Sequence, residues 1–432
     1  MGFVSTIVSQ QHSAVRRDRR VTTIGALMVF LGALMAVVFG LIVPSGAHSQ
    51  LTFTPLNTAV HAPWHLGALT LDTRWSDTVL GLMAIGLGVD VIVRQPRRAL
   101  SRFGLTSVLF LLALLLWTSR TGGPAQTNFV NVTTVLIGSS SLVMVLIYGS
   151  LSGVMCERAG VVNIAIEGQF IAGAFLGSMI ESTTNSFWLA TLAGALAGAL
   201  LGWVLAFLAL RYMSDQIIVG VVIVTLLSAL SSYLNLQILT PYPQFNLGNP
   251  APNVAIPFLY KIPVLGPVLF NQTGFFYLAV ALIALISFGL FRTRWGLRVR
   301  AVGEHPKAAE SVGINVVATR YRNVILGGAI AGIGGVAFMA TQGPFQPGYT
   351  SGLGYIALAA LIFGRWTPSG AVVASVLFGI LDYLSYNLQN YSFPLSTEIL
   401  GMFPYLITIA VVAGLIGRVR PPAADGIPYQ RS

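Results

Sequence analysis

A short polar stretch, ERAGVVNIAIEGQ at 157–169, interrupts a long apolar region and carries the side chains best suited to hold a solute. Asn163 and Glu167 are four residues apart, a spacing that places both on one helix face. Polar groups inside a membrane are costly and usually face the bundle interior or a transport pathway. Two roles are therefore open for Glu167: it lines a pathway, or it is structural and its carboxylate accepts hydrogen bonds from backbone N–H groups.

A second interrupted segment, QGPFQPGYTSGLGY at 342–355, lies in the other half of the chain. Glycine and proline that interrupt apolar segments in both halves of a transporter indicate the substrate site, here 150–174 and 343–370. Gly160 and Gly168 allow a broken helix in the first of them. We expect the pathway to include Asn163, Glu167, Gln169, Thr225, Asn235 and Tyr355.

The composition indicates that these residues belong to a membrane protein. The chain has 432 residues, of which 55% are hydrophobic and 9% charged, whereas soluble domains carry about 25% charged residues. The net charge of +11 does not indicate nucleic-acid binding, because the basic residues punctuate apolar runs and form no broad patch. The single cysteine, Cys156, excludes an internal disulfide and a multi-cysteine metal site. We expect no metal and no cofactor.

The hydropathy pattern predicts an all-α polytopic membrane protein with about 12 transmembrane or half-membrane helices. The apolar run 353–365 is too short for a comfortable span and predicts a half-helix or re-entrant segment. The expected segments are 21–43, 78–93, 103–119, 130–154, 159–180, 184–210, 216–238, 273–291, 322–341, 353–365, 369–388 and 399–417.

The positive charges predict the orientation. When the spans alternate from a cytoplasmic N-terminus, 21 of the 24 Lys and Arg residues fall on the inner side, as the positive-inside rule requires. Both termini are then cytoplasmic. A composition change near residue 125 separates an N-terminal extension of about three spans, 1–125, from a glycine-interrupted core at 126–418 and a cytoplasmic tail at 419–432.

The longest polar segment on the inner side is 292–322, which carries seven of the 24 Lys and Arg residues. Pro306 can begin a helix without an N–H group and Gly313 can end it, so the pattern predicts a short helix between them. Ala308 and Ala309 would form a small face able to dock closely into a groove on another protein.

Four blocks of the sequence resemble the permease subunits of bacterial ABC importers of the ribose, branched-chain amino acid and nucleoside group. They are ERAGVVNIAIEGQ at 157–169, RTRWGLRVRAVGEHPKAAESVGI at 292–314, GYTSGLGYIALAALIFGRWTPSGAVVASVLFG at 348–379 and PYLITIAVVAG at 404–414. The first two most resemble the nucleoside-importing branch. The resemblance implies a type II-like ABC importer permease core at 126–418, located in the bacterial plasma membrane.

The same resemblance assigns 292–322 to coupling with an ABC ATPase subunit, through an EAA-type loop in which Lys307 stands at the Glu position. The implied coupling residues are Gly303, Glu304, Pro306, Lys307, Ala308, Ala309 and Gly313. It also implies a second permease subunit, identical or different, and an extracellular substrate-binding lipoprotein. The lipid bilayer surrounds the assembly, and no nucleic-acid partner is expected.

No G-x-x-x-x-G-K-[ST], HExxH or GxSxG motif occurs, so we expect a transport subunit whose ATP is hydrolysed by a separate chain. The few charges of the pathway favour a neutral polar solute such as a nucleoside or a sugar, and the resemblance implies nucleosides above all. Two alternatives stay open. One is a permease of the same family for a simple sugar or a branched-chain amino acid. The other is an ion-coupled secondary transporter with Glu167 as its ion site.

Overall fold

A computed structural model describes residues 19–54, 67–96, 99–122, 129–389 and 420–430. The described chain is predominantly helical, and its small sheets do not close into a barrel. Its helices are α1 (Arg19–Leu34, continued by the π-helix Met35–Leu41), α2 (Thr73–Arg94), α3 (Ala99–Thr118), α4 (Val132–Glu157), α5 (Ile166–Thr184), α6 (Phe187–Arg211), α7 (Gln216–Leu234, continued by the π-helix Asn235–Leu239), α8 (Leu265–Leu269), α9 (Gly274–Arg292), α10 (Arg294–Glu304), α11 (Pro306–Ser311), α12 (Val316–Gln342), α13 (Leu353–Phe363) and α14 (Pro368–Gln389).

Eight helical segments of the described chain are long and apolar enough to cross a bilayer, which makes this a multi-pass membrane protein. They are Val21–Leu41, Thr73–Arg94, Val132–Glu157, Phe187–Arg211, Gln216–Leu239, Gly274–Arg292, Val316–Gln342 and Pro368–Tyr386. Arg102–Thr118 and Leu353–Phe363 are shorter apolar helices. The predicted span at 399–417 lies outside the described residues.

Helix α13 is short, as its sequence predicts. It has 11 residues and is therefore about 16 Å long, roughly half of a 30 Å hydrocarbon core. An irregular segment, 343–352, leads into it from the end of α12. This half-helix begins beside α5, so its N-terminus needs partners for its free N–H groups.

The expectation of an all-α structure misses two small sheets. Strand β1 (His48–Thr52) pairs antiparallel with β2 (Leu69–Asp72) and parallel with β3 (Phe129–Asn131). Strands β4 (Asn253–Ala255) and β5 (Asn271–Thr273) form an antiparallel pair. All five strands lie in connections between helices, where backbone groups outside the helices pair with one another.

The described residues of the predicted N-terminal extension, 1–125, pack directly on the predicted core. Strand β1 of the extension pairs with β3, which leads straight into α4. Leu384 of α14 is buried against Leu111, Leu114 and Leu115 of α3. The extension is thus joined to the core through a sheet and through an apolar helix contact.

The core is held by close approach of α6 and α12. Gly194, Gly198 and Gly202 recur every fourth residue along α6 and meet Gly328 and Gly332 of α12. A Cβ atom on Gly198 would lie 2.1 Å from the carbonyl oxygen of Gly328, and one on Gly332 would lie 1.9 Å from that of Gly194. Small residues at this spacing let two membrane helices approach backbone to backbone.

Replacing Gly198 by leucine is expected to lower the yield of folded protein sharply. The leucine side chain would collide with backbone atoms of α12, which cannot rotate away as a side chain can. The loss of stability should therefore be at least that of typical overpacking, about 1–3 kcal/mol. Gly86→Leu on α2 is the matched control, because nothing lies within 4 Å of a Cβ atom at that position. The measurement is the monodisperse fraction after detergent extraction, and equal yields of the two variants would contradict the prediction.

Candidate translocation and coupling sites

The two interrupted segments predicted from the sequence meet at the carboxylate of Glu167. Its Oε1 accepts hydrogen bonds from the Thr350 hydroxyl at 2.5 Å and from the Gly352 N–H at 2.9 Å. Its Oε2 accepts from the Gly354 N–H at 2.7 Å. Glu167 lies in the first turn of α5, and the glycines open α13, so one side chain joins the N-terminal ends of two helices.

This contact satisfies a physical need of both helices. The first N–H groups of a helix have no partner within it, and the helix dipole favours a negative charge at that end. Glu167 is only 5% exposed, so its charge requires these donors. Gly354 leaves room for the carboxylate, because a Cβ atom there would lie 2.5 Å from the Glu167 nitrogen.

Asn163 does not share a helix face with Glu167, contrary to the expectation from their spacing. Helix α4 ends at Glu157 and α5 begins at Ile166, so Asn163 lies in an irregular stretch, 158–165, that we call the α4–α5 break. Gly160 turns the chain there with φ of +85°, a conformation that glycine adopts at little cost. The broken helix that the glycines allowed is therefore present, and it removes Asn163 from the helix.

Asn163 instead belongs to a buried amide network. Its Nδ2 donates to Ser152 Oγ at 3.2 Å and to Gln169 Oε1 at 3.1 Å. Both amide side chains are fully buried. Within the described part of the chain, Asn163 Oδ1 and Gln169 Nε2 have no hydrogen-bond partner, so the network leaves over one acceptor and one donor.

A cavity of about 660 Å³ adjoins the contact of Glu167 with Thr350, Gly352 and Gly354, which we call the polar centre. Four elements surround it: the end of α12, the irregular segment 343–352, the start of α13, and α14. Thr350 belongs both to the cavity wall and to the Glu167 contact. Its volume is within the range of small-molecule sites. Its aromatic and polar lining consists of Phe338, Gln342, Gln346, Tyr349, Thr350, Ser351, Asp382, Tyr383, Ser385 and Tyr386.

The remaining predicted pathway residues divide into two groups. Tyr355 is exposed on α13, directly after Gly354, and so belongs to the Glu167 neighbourhood. Thr225 is exposed on α7 and its hydroxyl donates to the Val221 carbonyl at 2.9 Å. Asn235 begins the π-helical end of α7. In the described chain, neither Thr225 nor Asn235 makes a side-chain hydrogen bond to the polar centre, and their place in a pathway stays a prediction.

The short helix predicted between Pro306 and Gly313 is present as α11. Pro306 occupies its first turn, and Gly313 follows its end with φ of +84°. Helix α10 precedes it, and the buried Gly303 near its end touches the α4–α5 break: a Cβ atom on Gly303 would lie 2.2 Å from the Arg158 carbonyl oxygen. The predicted coupling segment, 292–322, therefore rests directly on the residue that follows α4.

Ala309 does not belong to an outward-facing small surface, contrary to the expectation from the sequence. It is 4% exposed and packs with Val302, Val316 and Tyr429. The reason is that α11 buries one side on α10, α12 and the C-terminal residues, and Ala309 lies on that side. The side left open, which we call the exposed face of α11, consists of Lys307, Ala308, Ser311 and Val312.

The C-terminal residues pack on this region, although no signal in the sequence connects them with it. Residues 420–430, here the tail segment, lie against α10, α11 and α12: Ala424 N–H donates to the Gly303 carbonyl at 2.9 Å, and Ala423 N–H donates to Glu304 Oε2 at 3.2 Å. No local motif in the tail predicts these long-range contacts. Glu304, one of the predicted coupling residues, is thus also a tail contact.

These features define a class of protein. A multi-pass helical bundle in which a broken helix and a half-helix meet at a buried polar centre is the architecture of a membrane transport protein. Residues 135–412 match the family described as branched-chain amino acid transport system / permease component. The chain belongs to this permease family, as the four sequence blocks indicated.

Individual relatives are ABC transporter permeases. The chain is 38% identical over 320 residues to the nucleoside ABC transporter permease protein NupC of Lactococcus lactis subsp. cremoris, covering 71% of this chain and 99% of that protein. It is 37% identical over 296 residues to the guanosine ABC transporter permease protein NupQ of Bacillus subtilis, covering 66% and 92%. A putative glucose ABC transporter permease, TsgC13 of Haloferax volcanii, is 33% identical over 292 residues, covering 62% and 87%. No solved structure matches the chain at a significant level.

Proposed function

We propose that this chain is the membrane-spanning permease of a bacterial ABC importer for nucleosides, driven by a separate ATPase subunit. The observation that carries the substrate class is the cavity beside Glu167. Aromatic rings of Phe338, Tyr349 and Tyr386 occur there together with amide and hydroxyl groups. The similarity to NupC and NupQ over almost their whole length supports the same assignment.

The chemistry of a nucleoside fits this lining. Its base offers a flat π-face, which stacks on aromatic side chains, and its ribose needs hydrogen-bonding partners such as Gln342 and Gln346. A neutral solute needs no paired counter-charge in the pathway.

The proposed orientation places the coupling segment, both termini and the tail in the cytoplasm, with about 12 segments crossing or entering the membrane. The distribution of 21 of the 24 Lys and Arg residues supports this. The tail segment contacts Gly303 and Glu304, so it lies on the same side as the coupling helices. The family match begins at residue 135, which supports a core at 126–418 preceded by an extension.

In this proposal the ATPase docks on the exposed face of α11, where Val312 is 74% exposed. A cavity of about 610 Å³ lined by Glu310, Gly313 and Tyr321 opens beside it. A second permease subunit completes the translocation pathway, and an extracellular binding protein delivers the solute. ATP binding draws the coupling helices of the two permeases together and alternates access to the cavity.

The arrangement of Glu167 favours this reading over an ion-coupled transporter. Three donors of the same chain occupy its two oxygens. An ion-coupling carboxylate must release its partners in every cycle, which would break the contact between α5 and α13. The similarity to TsgC13 keeps glucose as the alternative substrate. Uptake measurements distinguish glucose from nucleosides.

Cells that express this chain with its ATPase and binding protein are expected to accumulate labelled guanosine. Excess uridine should compete, whereas excess glucose or leucine should not. Depletion of ATP should abolish uptake, while an uncoupler applied with ATP maintained should leave it intact. Uptake that stops with the uncoupler at normal ATP would overturn the ABC assignment, and competition by glucose alone would overturn the nucleoside assignment.

A further inference from the structure

The tail segment lies between the coupling helices and the α4–α5 break, and it contacts both. On the coupling side, backbone N–H groups of Ala423 and Ala424 bond to Glu304 and Gly303 at the end of α10. The Tyr429 hydroxyl donates to the Glu310 carboxylate of α11. The tail segment is therefore attached to both coupling helices by groups well separated along its length.

The Tyr429 ring adds an apolar contact to this attachment. It is buried with Val302 of α10, Ala309 of α11 and Val316 of α12. One aromatic side chain of the tail segment thus fills the space where the three helices meet. A rigid-body movement of α10 and α11 must carry Tyr429 with it or break this cluster, because packed interiors are not continuously deformable.

Arg320 holds the other side of the tail segment. This α12 side chain is fully buried, and its guanidinium donates to the Ile427 carbonyl at 3.0 Å and to the Ala424 carbonyl at 3.3 Å. A Cβ atom on Gly160 would lie 2.8 Å from Arg320 Nη2 and 3.0 Å from the Ala424 oxygen. The backbone of the break therefore touches both the Arg320 guanidinium and the tail segment.

A carboxyl pair strengthens the contact with the break. Asp425 faces Glu157, the last residue of α4. Burial raises the pKa of Asp425 to about 7, and the nearby Glu157 and Arg320 oppose that rise. The hydrogen bond with Glu157 lowers the pKa of Asp425, so a single proton shared between the two carboxyl groups lets them attract rather than repel.

We propose that the tail segment is a clasp, positioned by Arg320, that transmits movement of the coupling helices to the α4–α5 break. This inference rests on the proposed ATP-driven function. The break carries Asn163 near its far end, and Asn163 donates to Gln169, which follows Glu167 by two residues on α5. A path of direct contacts thus runs from α11 through Tyr429, Ala424 and Gly160 to the proposed pathway.

The tail segment lies beyond the residues that match the permease family, 135–412. A second set of contacts joins α10 to the break directly: Gly303 approaches the Arg158 carbonyl, and Glu304 interacts electrostatically with the Arg158 guanidinium. Without the tail segment these contacts would remain between α10 and the break. Transmission should then weaken strongly without being abolished.

The test uses the complete transporter, with ATPase and binding protein, in proteoliposomes, and measures guanosine imported per ATP hydrolysed. A chain ending after Arg420 and the variant Tyr429→Ala are expected to hydrolyse ATP, because the exposed face of α11 is unchanged. Imported guanosine per ATP should fall about tenfold, within the range of about 5–150-fold typical of coupling between sites. Tyr429→Phe should recover part of the loss, because the ring is kept and only the hydroxyl contact with Glu310 is lost.

Pro428→Ala is the matched control, since this exposed neighbour of Tyr429 should leave the transport ratio unchanged. An unchanged ratio in both the truncated chain and Tyr429→Ala would overturn the clasp. So would failure of the truncated chain to assemble combined with a normal ratio in Tyr429→Ala. Failure of the wild-type transporter to import guanosine with ATP would instead overturn the proposed function, so the two failures are distinguishable.

Discussion

Glu167→Ala should yield little folded protein and no detectable uptake. The change leaves the N–H groups of Gly352 and Gly354 and the hydroxyl of Thr350 without their acceptor. Hydrogen bonds to charged groups contribute about 1.5–3 kcal/mol each. Losing three at one point would remove a large part of the about 5–15 kcal/mol by which a typical domain is stable. The measurements are the monodisperse fraction after extraction and guanosine uptake by cells.

Glu181→Ala is the matched control for this change. Glu181 is also a buried glutamate of α5, but it accepts one side-chain hydrogen bond, from Asn249 at 3.1 Å. Its replacement should therefore cost much less folded protein. If Glu167→Ala were extracted at the control's yield and still lost uptake, the carboxylate would act on the solute and not on the fold.

Glu167→Gln separates the two roles further. The amide keeps the shape of the side chain and one acceptor oxygen. Its NH₂ group would face either the Gly354 N–H or the two donors at Oε1, so on that side two donors would meet and no hydrogen bond could form. A structural carboxylate predicts a partial loss of yield with uptake falling in proportion. Full yield with no uptake would contradict that prediction.

The local elements of this fold could be predicted from the sequence because their signals are local. Asn131, Asp215 and Asn315 cap the N-termini of α4, α7 and α12 through side-chain oxygens, as their residue types favour. The short apolar run of α13 and the proline and glycine that bound α11 likewise specify their own conformations. Such features depend on a few neighbouring residues and need no knowledge of the fold.

The partners of Glu167 could not be predicted, because they depend on the tertiary fold. Gly352 and Gly354 are 185 and 187 residues away in sequence. The four-residue spacing of Asn163 and Glu167 indicates one helix face only while the helix is continuous, and the break at Gly160 makes that inference fail. The position of Glu167 was predicted, whereas which polar groups surround it was not.

Which side of α11 is buried could not be predicted from the sequence either. Ala308 and Ala309 are the same residue type, so composition cannot tell the buried one from the exposed one. Ala309 is buried because it packs against the ring of Tyr429, which is 120 residues further along the chain. The expectation that both alanines face outward was thus wrong for Ala309, and docking of a partner beside Ala308 stays a prediction.

The exposed face of α11 leads to the second prediction with a large effect, Val312→Glu. Val312 is 74% exposed and belongs to a segment outside the spanning helices, so insertion and folding should stay normal. If the ATPase buries this face, the new carboxylate must be desolvated without a partner. A loss of about 2 kcal/mol or more, typical of an interface hot spot, corresponds to roughly 30-fold weaker docking. Uptake and ATPase co-purification should fall together.

Tyr212→Glu provides the matched control, because it places the same charge at an exposed residue of the turn between α6 and α7. In the proposed topology this turn lies on the same side of the membrane but outside the docking surface. Val312→Glu should lose the ATPase while Tyr212→Glu retains it. If both variants kept wild-type uptake, α11 would not be the docking element. If both lost it, added negative charge on this side would explain the defect without any specific surface. Only the difference between them assigns the ATPase contact to the side of α11 that Tyr429 leaves open.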